Sequence, residues 1–114
     1  MKMNIKNYCR LVIILISIMV LFGCSIECEY KVTGSANTVD VTYSNESEGT
    51  SQESNVSIPW TYSFDGEEGQ FVYISAQNQG ETGSVTVTIY RNGKKIETST
   101  SNGAYVIATA SGSL

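Results

Sequence analysis

Short runs of alternating apolar and polar residues, separated by clusters of Gly, Asn and Ser, make up most of the chain after residue 28. Thr38–Ser44 and Ser84–Arg91 alternate in this way, and Asn92 and Gly93 directly follow the second run. Alternation with a period of two places one face of a strand on a core and the other in water. Asn-Gly between two such runs is typical of a type I′ hairpin turn. The pattern therefore predicts an antiparallel β-protein.

The spacing of the runs predicts seven or eight strands in about 90 residues, which favours a two-sheet sandwich first and a small barrel second. The predicted strands cover residues 29–33, 38–44, a run over 55–64 that Pro59 interrupts, 70–77, 84–91, 94–100 and 104–110. Proline cannot donate to a ladder, so Pro59 marks an edge or a bend. The Cys and Trp framework of antibody domains is absent from the sequence, so packing of the two inner faces must supply the cohesion.

Two acidic segments are expected to be solvent-exposed connections. Residues 45–54 contain Glu46, Glu48 and Glu53 among polar neighbours and are predicted to be a long loop. Their spacing does not match a helix-flanked calcium loop. Residues 65–69 are predicted to be a turn, because their two glycines supply unusual backbone angles.

Four aromatic residues are the candidates for a binding surface: Trp60, Tyr62, Tyr73 and Tyr90. An exposed Trp60 could stack on a sugar or a partner, whereas a buried Trp60 would fill the core of the sandwich, which is the commoner arrangement. A binding role is favoured if the four rings are exposed and coplanar.

The start of the chain is typical of an export signal. Residues 1–10 contain Lys2, Lys6 and Arg10 and no acid, and twelve almost uniformly apolar residues follow at 11–22. That length suits a signal peptide, since a spanning helix needs about 20 apolar residues. The basic residues hold the start in the cytoplasm and direct the rest of the chain outward.

Leu21-Phe22-Gly23-Cys24 follows this segment and resembles the lipobox of bacterial lipoproteins, although Phe22 is bulkier than usual at its position. The resemblance implies that Cys24 receives a diacylglyceryl group, that the chain is cut before it, and that the new amino terminus is acylated. We therefore expect a signal peptide at 1–23, a lipidated tether at 24–28 and a domain at 29–114, on the extracytoplasmic face of a bacterial membrane. The alternative is a cysteine that lies by chance near an ordinary cleavage site.

Charge restricts the partners of the exported part. Three of the seven basic residues lie before Cys24, which leaves four basic against eleven acidic side chains. A surface this acidic repels nucleic acid and anionic headgroups. We expect no nucleic-acid partner, and membrane attachment only through the lipid on Cys24.

The cysteines and titratable residues argue against a metal site and against catalysis. With Cys9 in the signal segment and Cys24 lipidated, Cys28 is expected to be a free thiol on the tether or an intermolecular link. The sequence has no His, so a zinc site is not expected. The carboxylates at 65–68 share one turn with nothing apolar nearby to raise a pKa. The expectation is a protein that is not an enzyme and binds no cofactor.

A second resemblance covers residues 29–110. The resemblance rests on Tyr30, Val32, Gly34, Val39, Val41, Tyr43, Ile58-Pro59-Trp60, Ser75-Ala76-Gln77 and the apolar strand before Asn92-Gly93. They resemble the extracytoplasmic domain of the MmpS family, the accessory proteins of mycobacterial RND-type exporters. This implies an immunoglobulin-like sandwich and a role as an accessory module of an RND-type transporter or another envelope protein.

The chain departs from that family in its lipobox, where members keep a spanning anchor, and in lacking a disulfide near its end. The alternative function is a stand-alone surface or adhesive domain that binds a sugar or a small amphiphile. A lipoprotein with a merely structural role is a third reading.

Overall fold

The structure of the protein, a computed structural model, describes residues 25–114, which form strands and short connections without a helix. The predicted signal peptide and Cys24 lie outside the described residues. The eight strands are β1 (Ile26–Thr33), β2 (Thr38–Ser44), β3 (Thr50–Ser57), β4 (Trp60–Gly66), β5 (Phe71–Asn78), β6 (Ser84–Arg91), β7 (Lys94–Asn102) and β8 (Ile107–Ser113).

The strands form two four-stranded antiparallel sheets. The front sheet has the order β4-β1-β6-β7, and the back sheet has the order β3-β2-β5-β8. The predicted all-β sandwich of seven to eight antiparallel strands is confirmed. Asn92 and Gly93 form the β6–β7 turn with positive φ angles of 52° and 79°, as expected from their position between alternating runs.

The core lies between the central strands of the two sheets. Its fully buried members include Tyr30 and Val32 of β1, Val39 of β2, Val72, Ile74 and Ala76 of β5, and Val85, Val87 and Ile89 of β6. Each alternates with a more exposed neighbour along its strand, except near the end of β6, where Thr88 is also buried. Apolar burial on the inner faces therefore sets the register of both sheets.

The two lateral edges of the sandwich, where the edge strands of the two sheets meet, are packed differently. On one side, β7 and β8 pack against each other across the sheets, and the small inward residues Ala108 and Ala110 of β8 are buried there. On the other side, the edge strands β3 and β4 are joined by Ile58 and Pro59. Aromatic side chains fill the space behind β4, and they form the site described below.

Several predictions about the strands were wrong. Residues 104–106, expected to begin the last strand, precede β8, and residues 65–66, expected in a turn, end β4. The first strand begins at Ile26 and not at 29, so Cys28, expected on a tether, is fully buried in β1. Residues 50–54, expected in a loop, belong to β3, which pairs with β2. As an edge strand, β3 exposes nearly all its side chains to water, so it carries no apolar alternation that would reveal it.

Candidate functional site

Five aromatic rings form a continuous cluster behind the β3–β4 edge, which we call the aromatic cluster. Trp60, Tyr62 and Phe64 alternate along β4 on its inward face, and Tyr30 of β1 lies opposite Tyr62. Tyr43 of β2 reaches the same rings from the back sheet, with its centroid 4.6 Å from that of Tyr62 and 5.3 Å from that of Trp60. The Trp60 and Tyr62 planes are almost parallel, at 9°. Edge and offset contacts at these distances are favourable for aromatic rings.

The hydroxyl of Tyr30 fixes the inner end of the cluster. It donates to the backbone oxygen of Ser44 at 2.7 Å, and Ser44 Oγ accepts the backbone N–H of Tyr73 at 2.9 Å. Burial raises the pKa of Tyr30 to about 12. These contacts connect β1 of the front sheet to β2 and β5 of the back sheet, so the buried end of the cluster is rigidly placed.

Two carboxylates stand at the outer end of the cluster. The hydroxyl of Tyr62 donates to Glu46 at 2.5 Å, and the hydroxyl of Tyr43 donates to Glu53 at 3.0 Å. The hydrogen bond from Tyr62 lowers the pKa of Glu46, and the same contact raises the pKa of Tyr62 to about 12. Burial and the nearby Glu53 raise the pKa of Tyr43. At neutral pH the phenols are therefore neutral donors and Glu46 is an anion.

The outer end of the cluster is accessible. Trp60 and Tyr62 are half-buried, whereas Glu46 and Glu53 are exposed. Half-exposed rings beside fixed carboxylates suit a ligand that combines an apolar face with hydrogen-bond donors or a positive charge.

The structure brings together two of the four aromatic residues proposed from the sequence. Trp60 and Tyr62 share the aromatic cluster. Tyr73 lies between buried Val72 and Ile74 and therefore on the outer face of the back sheet. Tyr90 follows buried Ile89 and lies on the outer face of the front sheet. The four rings do not form one surface.

Sequence reasoning missed five members of the site: Tyr30, Tyr43, Phe64, Glu46 and Glu53. Tyr43 had been placed on the core face of its strand, but nothing in the sequence showed that it meets rings from β4. Glu46 and Glu53 were treated as solvated loop residues. The sequence carried no signal for them, because their role depends on which strands pair at the edge.

Cys28 belongs to the core beside this site. It has no exposed surface, and burial raises its pKa to about 12, so the group is a protonated thiol. The expected free thiol is therefore present, but it lies in β1 and not on a tether. The alternative of an intermolecular link was wrong, because a fully buried sulfur cannot reach another chain.

Within residues 25–114, no three Asp, Glu or Cys side chains are placed to hold a metal ion together. The same part of the chain contains no helix long and apolar enough to cross a bilayer.

Fold and site together define a small antiparallel β-sandwich with an aromatic and acidic edge. No protein-family model matches the chain, and no curated protein matches it. Among solved structures, a DUF4425 family protein from Bacteroides ovatus is similar, with a TM-score of 0.47 and 14% identity, covering 79% of this chain and 94% of that chain. A similarity at this level carries no argument about function, and the fold assignment rests on the strands themselves.

Proposed function

We propose that the protein is a lipid-anchored, non-catalytic envelope protein that acts as an accessory module of a membrane transporter. The lipobox-like segment supports the anchor, and the MmpS-like residues support the transporter role. Of those residues, Tyr30, Tyr43 and Trp60 all belong to the aromatic cluster.

The observation that carries the proposal is the position of β1. Only Ser25 separates Cys24 from Ile26, where β1 begins and is already buried. An extended chain spans at most about 3.5 Å per residue, so a lipid on Cys24 would hold the sandwich within about 7 Å of the headgroups. A domain held this close meets partners embedded in the same membrane. An adhesive domain gains reach from a long linker, which this chain does not have between Cys24 and β1.

The anchor is tested by intact mass spectrometry of the protein recovered from its native membranes. We expect a chain that begins at Cys24 and carries a diacylglyceryl group and a further acyl chain, which together anchor a protein firmly. The Cys24→Ala variant should lose this mass and leave the membrane fraction. An unmodified chain that stays in the membrane would contradict the anchor.

The partner is tested by photo-crosslinking in native membranes. A photoreactive amino acid at Ser63, exposed on edge strand β4, should crosslink to a transporter subunit. The matched control is the same amino acid at Thr109, exposed on edge strand β8 at the opposite side of the sandwich. Adducts with an envelope transporter at Ser63 alone support the proposal. Equal adducts at both positions, or none with a transporter, would contradict it.

A second candidate function is a surface domain that binds a sugar or a small amphiphile. It is favoured by the half-exposed Trp60 and Tyr62 rings next to Glu46 and Glu53. Octyl glucoside, added below its micelle concentration, should shift the fluorescence of Trp60, the single tryptophan, to shorter wavelength. The shift should be smaller in Glu46→Gln and unchanged in Glu81→Gln, whose carboxylate lies in the β5–β6 connection. No shift in the unaltered protein would exclude this function.

A further inference from the structure

The end of the sandwich at which β1 begins carries an exposed aromatic ring. Ile26, the first residue of β1, pairs with Gly66 at the end of β4, and residues 67–70 lead from there to Phe71 at the start of β5. Phe71 is 58% exposed, more than any other large hydrophobic side chain of residues 25–114. It precedes the fully buried Val72, so its ring lies on the outer face of the back sheet. The core of the sandwich does not use this ring.

Two tyrosines lie near the same end. Tyr73 follows Phe71 on the outer face of the back sheet. Tyr90, opposite Glu29 and next to the last residue of β6, lies on the outer face of the front sheet. These are the two proposed binding residues that the aromatic cluster does not include. Rings with one apolar and one polar side favour the boundary between lipid headgroups and acyl chains.

The β6–β7 turn brings positive charge to this end. Of the four basic side chains in the described part of the chain, three lie at 91–95. The backbone N–H of Asn92 donates to the backbone oxygen of Glu27 at 2.8 Å, so the turn lies beside the start of β1. Lys94 and Lys95, which follow the turn, are exposed.

The carboxylates of this end are concentrated on its other side. Four of them lie together, from the β2–β3 connection across to the end of edge strand β4: Glu46, Glu48, Asp65 and Glu67. Phe71 and residues 91–95 belong to strands on the side of β7 and β8. Between the two sides, Glu68 forms an ion pair with Arg91 at 2.8 Å. We call the side with Phe71 and residues 91–95 the basic half of this end, and the other side the acidic half.

We propose that the basic half lies against the phospholipid layer that holds the lipid on Cys24. The chain outside the described residues favours this occupant, because Cys24 stands two residues before Ile26 and therefore within about 7 Å of it. The Phe71 ring inserts between the headgroups, and the ammonium groups of Lys94 and Lys95 donate to lipid phosphates. The acidic half repels those phosphates, so the domain tilts toward its β7–β8 side.

This inference rests on the proposed anchor and adds an orientation to it. The negative charge of the domain keeps it away from phosphates when it is free, so the contact forms only once the lipid on Cys24 holds the domain at the surface. The intact mass of the same sample separates the two proposals. A chain without lipid would overturn both, whereas a lipidated chain whose basic half does not contact the bilayer would overturn the orientation alone.

The test is quenching of tryptophan fluorescence by lipids brominated on their acyl chains, with the full lipidated protein in nanodiscs of phosphatidylethanolamine and phosphatidylglycerol. Phe71→Trp is combined with Trp60→Phe, which leaves one tryptophan, at position 71. The brominated lipids should lower its fluorescence. No loss of fluorescence would overturn the proposal, including a case in which a second copy or a protein partner covers the ring.

The matched control is Ile107→Trp, also combined with Trp60→Phe. Ile107 is 53% exposed and pairs with Gln77, six residues along β5 from Phe71 and so about 20 Å away. Brominated lipids should leave its fluorescence unchanged. An equal loss at both positions would overturn the proposal.

A second measurement needs no substitution. Lipids with a nitroxide on the headgroup should broaden the amide resonances of Phe71 and Lys94 in the unaltered ¹⁵N-labelled protein in nanodiscs. The resonances of Tyr105 and Ile107, at the far end of the sandwich, should stay sharp. Uniform broadening, or broadening at the far end alone, would show a different orientation and overturn the proposal.

Lysine variants test the ammonium groups. Lys94→Gln, added to the protein with Phe71→Trp and Trp60→Phe, should reduce the quenching by brominated lipids. Lys31→Gln removes one charge from β1, away from this end, and should leave the quenching unchanged. Equal effects of the two variants, including no effect of either, would overturn the contact between the basic half and lipid phosphates.

Discussion

Tyr30 is the residue on which the contact between the two sheets depends most. Its ring is fully buried, and its hydroxyl crosses from β1 to the backbone oxygen of Ser44 on the other sheet. The Tyr30 side chain is fully buried and Ser44 is partly buried, so water does not freely replace the hydrogen bond when it is lost.

Tyr30→Phe should therefore lower the free energy of unfolding by about 1–2 kcal/mol, because Ser44 loses its donor while the ring packing is kept. Tyr90→Phe is the matched control, since Tyr90 lies on the outer face of the front sheet, where water can replace a partner. Urea titrations followed by Trp60 fluorescence measure both. Equal destabilisation of the two variants would show that the Tyr30 hydroxyl has no special role.

The same buried residues predict the response to alkaline pH. Burial raises the pKa of Cys28 and of Tyr30 from 9.0 and 10.0 to about 12 each, so the folded state keeps protons that the unfolded chain loses. These groups should leave stability unchanged from neutral pH to about pH 9 and should lower it as the pH rises from there to about 12.

Urea midpoints measured from pH 7 to 11 test this dependence. In Tyr30→Phe the fall should be shallower, because one of the groups with a raised pKa no longer titrates. A midpoint that is flat to pH 11 would show that these groups ionise without unfolding the protein.

Gly34 lies in the connection between β1 and β2, at a point where this connection packs closely against β6. Its φ angle is +134°, and a Cβ added there would lie 2.1 Å from the backbone oxygen of Ser84. The backbone of Ser84 is held by its strand and cannot yield as a side chain would.

Gly34→Ala should cost about 3 kcal/mol, from the backbone clash and the unfavourable φ together. Gly49→Ala is the control, because an added Cβ there meets only the Asn45 side chain, at 3.5 Å. Its effect should stay within about 0.5 kcal/mol. Thermal unfolding measures both, and a mild effect at Gly34 would mean that the β1–β2 connection can move away from β6.

Strands whose inner face is buried could be predicted from the sequence, and the polar edge strand could not. β2 and β6 have the bounds that their alternation predicted. Every second side chain of these strands is buried, so apolar residues recur at every second position of the sequence. β3 pairs with β2 alone and exposes most of its residues, so backbone hydrogen bonds define it and leave no pattern in its side chains.

At the scale of the whole molecule, the site depends on which strands become neighbours. The inward position of Tyr43 could be predicted locally, but its contact with Trp60 requires β2 and β4 to face each other across the sandwich. Tyr73 and Tyr90 were grouped with Trp60 because the sequence does not reveal which sheet a strand joins or which of its rings face inward; Tyr90 shares the front sheet with Trp60 but lies on its outer face. The hydrogen bond from Tyr62 of β4 to Glu46 in the β2–β3 connection is equally non-local, since it joins residues from two sheets.

The polar β3 edge should also keep the molecule monomeric. Glu53 lies opposite Val41, so it occupies an inward register position and yet is exposed. Charges at such positions oppose pairing between the edges of two sheets.

Glu53→Val should promote self-association, seen as a larger hydrodynamic radius in light scattering at rising protein concentration. Glu81→Val makes the same change of charge and shape in a connection and should leave the radius unchanged. Equal association of both variants would attribute the effect to lost net charge and not to the edge.

Under the proposed anchor on Cys24, the polarity of β3 has a consequence for copies of the protein that share one leaflet. Confinement to a plane makes sideways encounters frequent and presents the molecules to each other in similar orientations. If the edge strand were apolar, such encounters would lead to edge-to-edge pairing between the sheets of neighbouring molecules. With the proposed anchor, the hydrated face of β3 would let neighbouring copies collide and separate, so that the molecules would stay dispersed in the leaflet.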